Sequence, residues 1–326
     1  MKKILFNFRG GFAGLREGFE ALGCEVIENQ WTPDTAMLND VALCVADFVD
    51  CARRVRRTLG LRRRLGAARV PFVALNRDAP FNRGVHRARL AAMAWLKPFD
   101  AYAAHSMQGA ERYAGTTQYC PNAAREALYH VNDAQLEAMR DPGGYRWDVS
   151  FFGNLDAKRY REHARRVEFL GALDVKLGSH GIRSLFRDSA RMSDDEQIEI
   201  IRTSRINLSA IAACDAGAEP SWGLPERCYG VPACGGFLLA DRRRHAADDF
   251  AADERAEYEG VEDCAAKIRY FLEQFGEARA IAERARARVA RDHGYRNRAE
   301  RLLDCARHQR SSRIGEAGLR GEAMSE

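Results

Sequence analysis

Between Trp222 and Asp241 the chain reads Trp-Gly-Leu-Pro-Glu-Arg-Cys-Tyr-Gly-Val-Pro-Ala-Cys-Gly-Gly-Phe-Leu-Leu-Ala-Asp, and here residue types and spacing first suggest chemistry. Pro225 suits the first position of a helix, where its missing N–H costs nothing. Glu226 suits the positive end of the helix dipole, and Arg227 adds a fixed cation beside it. About two turns on, Gly235-Gly236 offer a left-handed C-cap. Phe237, Leu238 and Leu239 then form the short apolar run of a buried parallel strand. A loop, a helix opening with unsatisfied N–H groups and a buried strand make one unit of a nucleotide-binding sheet, with an anion site at the helix start. Two further side chains could move a proton. Asp78 lies in a polar loop after an expected strand, at the edge where open α/β sheets bind ligands; its other reading is a cap on the turn before Pro80. His105 is the only histidine placed just after an expected strand of the N-terminal half. It is either an acid–base group or a loop histidine with a local hydrogen bond.

The stretch also carries a resemblance. With Pro225, Arg227, Tyr229, Ala233, Cys234, Gly235, Gly236 and Asp241 in place, it resembles the donor-site helix of GT-B glycosyltransferases, in particular the spore-maturation CgeB-like group. The likeness extends less strongly from about Asp148 to Leu303, and over the N-terminal half only as a general layout. It implies an α/β, GT-B-like fold: two doubly wound parallel-sheet, Rossmann-like domains facing a cleft. It implies transfer of a sugar from a nucleotide-sugar donor to an acceptor that is a glycan, lipid, protein or small molecule, with no cofactor and no metal.

Carried onto this chain, the resemblance makes Gly11, Lys158, Arg159, His180, Trp222, Glu226, Arg227 and Tyr229 donor-binding residues, and Asp78 and His105 catalytic ones. Lys158 and Arg159 follow the first strand of the second half, where such enzymes carry basic residues for the donor diphosphate. Arginine can grip phosphate with two parallel hydrogen bonds, and lysine adds a point charge. By the same layout the loop Gly178-Ser179-His180-Gly181 lies near the nucleobase. Fixed cations and a helix N-terminus would stabilise the leaving diphosphate without a metal. One position departs from the pattern. The glutamate that usually contacts the donor ribose falls on Gly230. Glu226, one turn earlier on the same helix face, either stands in for it or only complements the helix dipole. Two other readings keep the fold: a nucleotide-sugar epimerase, and a non-catalytic nucleotide-sugar-binding descendant, which the missing glutamate favours.

The elements that must position these groups follow from periodicity. Strands are expected at Lys3–Phe8, Val26-Ile27, Val41–Ala46, Val70–Leu75, Ala101–Ala104, Gln118-Tyr119, Val149–Phe152, Leu173–Leu177 and Ile206–Ala210, with helices between them. Arg9-Gly10-Gly11 after the first strand is a turn whose glycines let backbone approach a ligand closely. Asp141-Pro142-Gly143-Gly144 is the strongest breaker cluster and reads as a linker. The expected organisation is an acceptor-side domain over 1–140 and a donor domain over 146–294. A helix over 295–310 crosses back to the first domain, and a disordered tail covers 311–326. Ser193-Asp194-Asp195-Glu196 is a capping box, which explains its acids better than metal ligation does.

Composition sets the outer limits. The 326 residues, 46% hydrophobic, suit two cores of about 150 residues each. No apolar run approaches the ~20 residues of a membrane span. Nine scattered cysteines without a Cys-x-x-Cys pair indicate neither a disulfide framework nor a zinc site. A cytoplasmic location with reduced thiols is the expectation. The net charge of +5 is unevenly placed, with Arg53, Arg54, Arg56, Arg57, Arg62, Arg63, Arg64 and Arg69 on one expected helix. That run reads either as a solvated face or as a patch for an anionic acceptor polymer or membrane, which would place the protein peripherally at the inner membrane face. No recognition module accompanies it, so nucleic acid is not an expected partner.

Overall fold

The computed structural model describes residues 1–77, 85–158, 161–211 and 223–322. The chain forms two compact units, one of residues 1–121 with 295–326 and one of residues 122–294.

The first unit runs β1 (Lys3–Asn7), α1 (Ala13–Ala21), β2 (Glu25–Glu28), α2 (Thr35–Leu38), β3 (Val41–Asp47), α3 (Phe48–Arg53), α4 (Val55–Ala67), β4 (Phe72–Asn76), α5 (Arg87–Leu96), β5 (Ala101–Ala104) and β6 (Thr116–Tyr119). Its strands pair in the order β2-β1-β3-β4-β5-β6, all parallel. The central strands are nearly continuous apolar runs because helices cover both faces of the sheet. On α4, Thr58, Leu61 and Leu65 recur at helical spacing and are buried, so the arginines between them point outward. The core gathers Leu5, Cys44, Phe48, Phe72 and Tyr102.

The second unit holds α6 (Asp133–Ala138), β7 (Trp147–Gly153), α7 (Arg161–Gly178), β8 (Ser184–Asp188), α8 (Asp194–Arg202) and β9 (Ser204–Ser209). It continues with α9 (Arg227–Ala233), β10 (Leu238–Asp241), α10 (Ala246–Asp249), β11 (Ala256–Tyr258), α11 (Gly260–Glu273) and α12 (Phe275–Asp292). Its sheet is also parallel, in the order β11-β10-β9-β7-β8. The chain then re-enters the first unit as α13 (Tyr295–Glu322). There α13 begins against α1 so closely that a Cβ on Gly18 would stand 2.4 Å from the Tyr295 carbonyl oxygen.

Two expectations need correction. Leu173–Leu177 is the end of helix α7 and not a strand. Leu170, Leu173 and Leu177 are buried at spacings of three and four, with exposed Asp174 between them. The strand lies further on, at Ser184–Asp188. The breaker cluster at Asp141 is a short 3-10 turn held by the Asp141 carboxylate, which accepts from Gly143 N at 2.8 Å. The units divide instead at Pro121/Asn122. Residues beyond that point are tied into the second unit: Asn122 Nδ2 donates to Leu224 O at 3.0 Å, and Ala124 N to His293 O at 2.8 Å. The capping box is present, with Ser193 and Glu196 satisfying each other's backbone N–H.

Candidate functional site

In the second sheet the strand order reverses direction between β7 and β9, and such a switch point leaves a crevice beyond the carboxyl ends of its strands. Arg227, the first residue of α9, meets that point. Its guanidinium lies 4.6 Å from the ring centroid of Phe151 and 5.5 Å from that of Phe152. Gly153, which ends β7, leaves the necessary room: a Cβ there would stand 2.8 Å from Arg227 Nη2 and from Phe151 Cζ. Among the described residues, no hydrogen bond or ion pair engages this guanidinium. Burial lowers its pKa, against the opposing influence of Cys228, Tyr129 and Asp241, yet arginine does not give up its proton in proteins. The result is a half-buried cation seated on aromatic faces, with its donors unspent on any described protein acceptor. Its natural complement is an anion with several oxygens.

Two other buried arginines build the frame. Arg166, on α7, donates to Ala210 O at 3.1 Å and to Asn154 O at 2.7 Å, so it ties the loop after β7 to the segment after β9. Arg243 donates to both oxygens of Asp241, at 3.3 and 2.7 Å, and to Gly223 O at 2.9 Å, which fixes the approach to α9. In sequence, Arg242-Arg243-Arg244 reads as an exposed basic run. Arg243 departs from that reading: it is 4% exposed. The sequence signal that could have found it is Asp241 two residues earlier, at a strand end where a carboxylate needs a partner.

The start of α9 differs in detail from expectation. Pro225 precedes the helix, and the first bonded turn is Cys228 N to Pro225 O at 2.9 Å. Tyr229 N and Gly230 N both reach Glu226 O. These amides are therefore already engaged, and the charge offered here comes mainly from the Arg227 side chain. The helix ends in a Schellman motif, with Gly236 N on Val231 O, Gly235 N on Pro232 O and Gly235 at φ +80°. The helix position vacated by the missing glutamate is covered. A Cβ on Gly230 would stand 2.7 Å from the ring of Tyr129, so a glutamate does not fit there unless Tyr129 moves. Glu226 is half-buried one turn earlier, and its charge reaches the Tyr129 phenol.

The remaining expected residues scatter. Lys158 is exposed in the β7–α7 loop, which is shaped by two successive side-chain turns: Asn154 Oδ1 accepts from Asp156 N at 2.9 Å, and Asp156 Oδ1 from Lys158 N at 3.0 Å. Asp78, Arg159 and Trp222 lie outside the described residues. Tyr229 does not face the switch point as a donor contact. It is fully buried, its hydroxyl donates to Asp249 Oδ2 at 2.6 Å, and its ring packs on Phe250 and His293. His180 follows the C-terminus of α7 and precedes β8, which places it at the amino edge of the sheet, opposite the switch-point crevice. The expected nucleobase loop fails because the strand it was to follow is helix. In the first unit, Gly11 sits after β1 at φ +70°, a conformation that favours glycine, with its N–H on Phe8 O at 2.9 Å. His105 follows β5 at 2% exposure.

A family model described as glycosyl transferase-like matches residues 135–304, just over half of the chain. No curated protein matches the sequence significantly. Solved structures do. Anabaena HepE in complex with UDP and glucose is 15% identical with a TM-score of 0.58, over 93% of this chain and 99% of that one. Sucrose-phosphate synthase from Thermosynechococcus elongatus is 12% identical with a TM-score of 0.60, over 96% and 100%. A glycosyltransferase from Rickettsia africae is 13% identical with a TM-score of 0.58, over 94% and 98%. At these identities the likeness is one of fold, and the fold is GT-B-like.

Proposed function

The chain belongs to the glycosyl transferase-like family and is a glycosyltransferase; from that premise we propose that it moves a sugar from a nucleoside-diphosphate sugar to an acceptor hydroxyl, without a metal. The observation that carries this reading is Arg227, a cation on the Phe151 ring at a sheet switch point, with no described carboxylate paired to it. The CgeB-like subgroup is the assignment the Pro225–Asp241 pattern favours. HepE holding UDP, UDP-glucose or UDP and glucose makes UDP the first nucleotide to test.

In the transfer, a bond forms from the acceptor oxygen to the anomeric carbon, and the bond from that carbon to the diphosphate breaks. The acceptor hydroxyl loses a proton, and the diphosphate leaves with the added negative charge. Arg227 answers that charge at a fixed position, and Lys158 adds a second, exposed cation from the β7–α7 loop. One preorganised donor of this kind is worth about 10²–10³ in rate. Asp78 or His105 takes the acceptor proton in this proposal, on a glycan, lipid, protein or small-molecule acceptor.

Calorimetric titration with UDP, GDP, ADP and TDP in excess chelator tests it. Native protein should bind at least one of them, and Arg227→Ala should weaken that binding tenfold or more with little change in melting temperature. Binding that appears only when magnesium is restored would defeat the metal-free mechanism. Equal affinity in Arg227→Ala would remove Arg227 from the site.

A further inference from the structure

We propose that the outer face of helices α4 and α5 is a docking surface for an anionic lipid bilayer. This rests on the first unit alone and not on the transfer reading. The progression β3–α4–β4–α5–β5 moves steadily in one direction across the sheet, and right-handed crossovers of that kind place both helices on the same face. They are neighbours there, with Arg62 of α4 reaching Asp100 just beyond the end of α5 at 2.8 Å. Their outward faces therefore form one continuous surface.

That surface combines two properties. On α4, Arg56 and Arg63 lie seven residues apart on the side opposite buried Leu61 and Leu65, and both are exposed. Neither helix contains an acidic residue, and between positions 53 and 97 the sequence has thirteen basic residues against the single acid Asp78. On α5, Met93 faces the core, while Ala88, Ala91 and Trp95 form an exposed stripe. Trp95 is 84% exposed, the most exposed tryptophan among the described residues. A soluble polyanion would satisfy the arginines but leave the alanine–tryptophan stripe in water. A bilayer of anionic lipid satisfies both, since phosphates meet the arginines and the indole enters the headgroup region where tryptophan is enriched. No described helix is long and apolar enough to cross a membrane, so the contact is peripheral.

The test is sedimentation of the full chain with vesicles of phosphatidylcholine, with and without phosphatidylglycerol. The native protein should pellet with the phosphatidylglycerol vesicles only, and added salt should release it. Each arginine near such a surface is worth about fivefold in binding, so Arg56→Gln with Arg63→Gln should lose more than tenfold. Trp95→Ala should lose severalfold. The native emission should shift to the blue on vesicles, and that of Trp95→Phe should not. All these positions are exposed, and matched melting curves establish that the variants are folded. Failure to pellet with either vesicle, or pelleting that none of the substitutions alters, overturns the proposal. Tighter binding to heparin than to vesicles, unchanged in Trp95→Ala, overturns it in favour of a soluble polyanion.

Discussion

The carboxyl edges of the two sheets share a strand order and differ in charge. In the first unit the buried polar groups at that edge include Asn7, Asn76, His105 and Ser106, all within 2% exposure. Asn7 donates to Gln30 O at 3.1 Å and Asn76 to the Tyr102 hydroxyl at 2.6 Å, while Asp47 and Asp50 accept backbone N–H groups. In the second unit the same edge carries Arg166, Arg227 and Arg243. One edge offers mainly neutral hydrogen-bonding groups and acids, with Arg77 paired to Asp47 at 3.6 Å and set over the Phe12 ring, while the other gathers three arginines. The same architecture thus carries two different chemistries at its edges, and the difference is set by which residues end the strands. Within the cationic edge a second contrast matters more. Arg166 and Arg243 have their donors turned onto carbonyls and a carboxylate, whereas Arg227 rests on rings. Of the three, Arg227 is the one whose guanidinium no described hydrogen bond or ion pair engages.

That contrast can be broken by experiment. The largest effect should come from Arg243→Ala, which leaves the Asp241 carboxylate, 14% exposed, without its bidentate partner. Urea denaturation should show a loss of about 3–5 kcal/mol, the usual cost of removing one member of a buried charge pair. If Arg243→Ala instead keeps its stability and loses nucleotide affinity, the split between framing and binding arginines is wrong. A smaller effect is expected from Tyr229→Phe, which removes the hydrogen bond to Asp249. Stability should fall by about 1–2 kcal/mol with UDP affinity unchanged; a selective loss of affinity would return Tyr229 to the donor site. Least of all should happen with His180→Ala, at the amino edge. Both stability, within about 0.5 kcal/mol, and UDP binding should match the native protein. A severalfold loss of binding there would mean that the nucleobase reaches the amino edge after all.

Much of the architecture was legible in the sequence because parallel strands covered on both faces are written as apolar runs. Val41–Ala46, Ala101–Ala104 and Val149–Phe152 are such runs, and each is a strand or lies within one. Periodicity misleads where an apolar run obeys two periods at once. Leu173-Asp174-Val175-Lys176-Leu177 alternates as a strand would, but Leu170 and Leu173 extend a helical stripe that a five-residue window misses. Ser184–Asp188 and Ala256–Tyr258 escaped notice because one carries too many polar residues and the other spans only three residues. At the site, Arg227 could be picked out by its place before Gly235-Gly236. Its seat on Phe151 could not, since 76 positions separate them and the sequence does not record which rings approach across a sheet edge. Tyr129 over Gly230 was hidden for the same reason: a glycine announces that space is needed and does not say what fills it.

The contact between Gly18 and Tyr295 joins positions 277 apart, and it belongs to a unit interrupted by the whole of the other. The second unit is one unbroken segment, so on the ribosome it can close as soon as residue 294 has emerged. The first unit begins synthesis earlier yet waits for α13 to cover α1, with loop closure across 277 positions. The half that is made first is therefore completed last, and until then the face of α1 that Gly18 turns toward α13 is uncovered in the nascent chain.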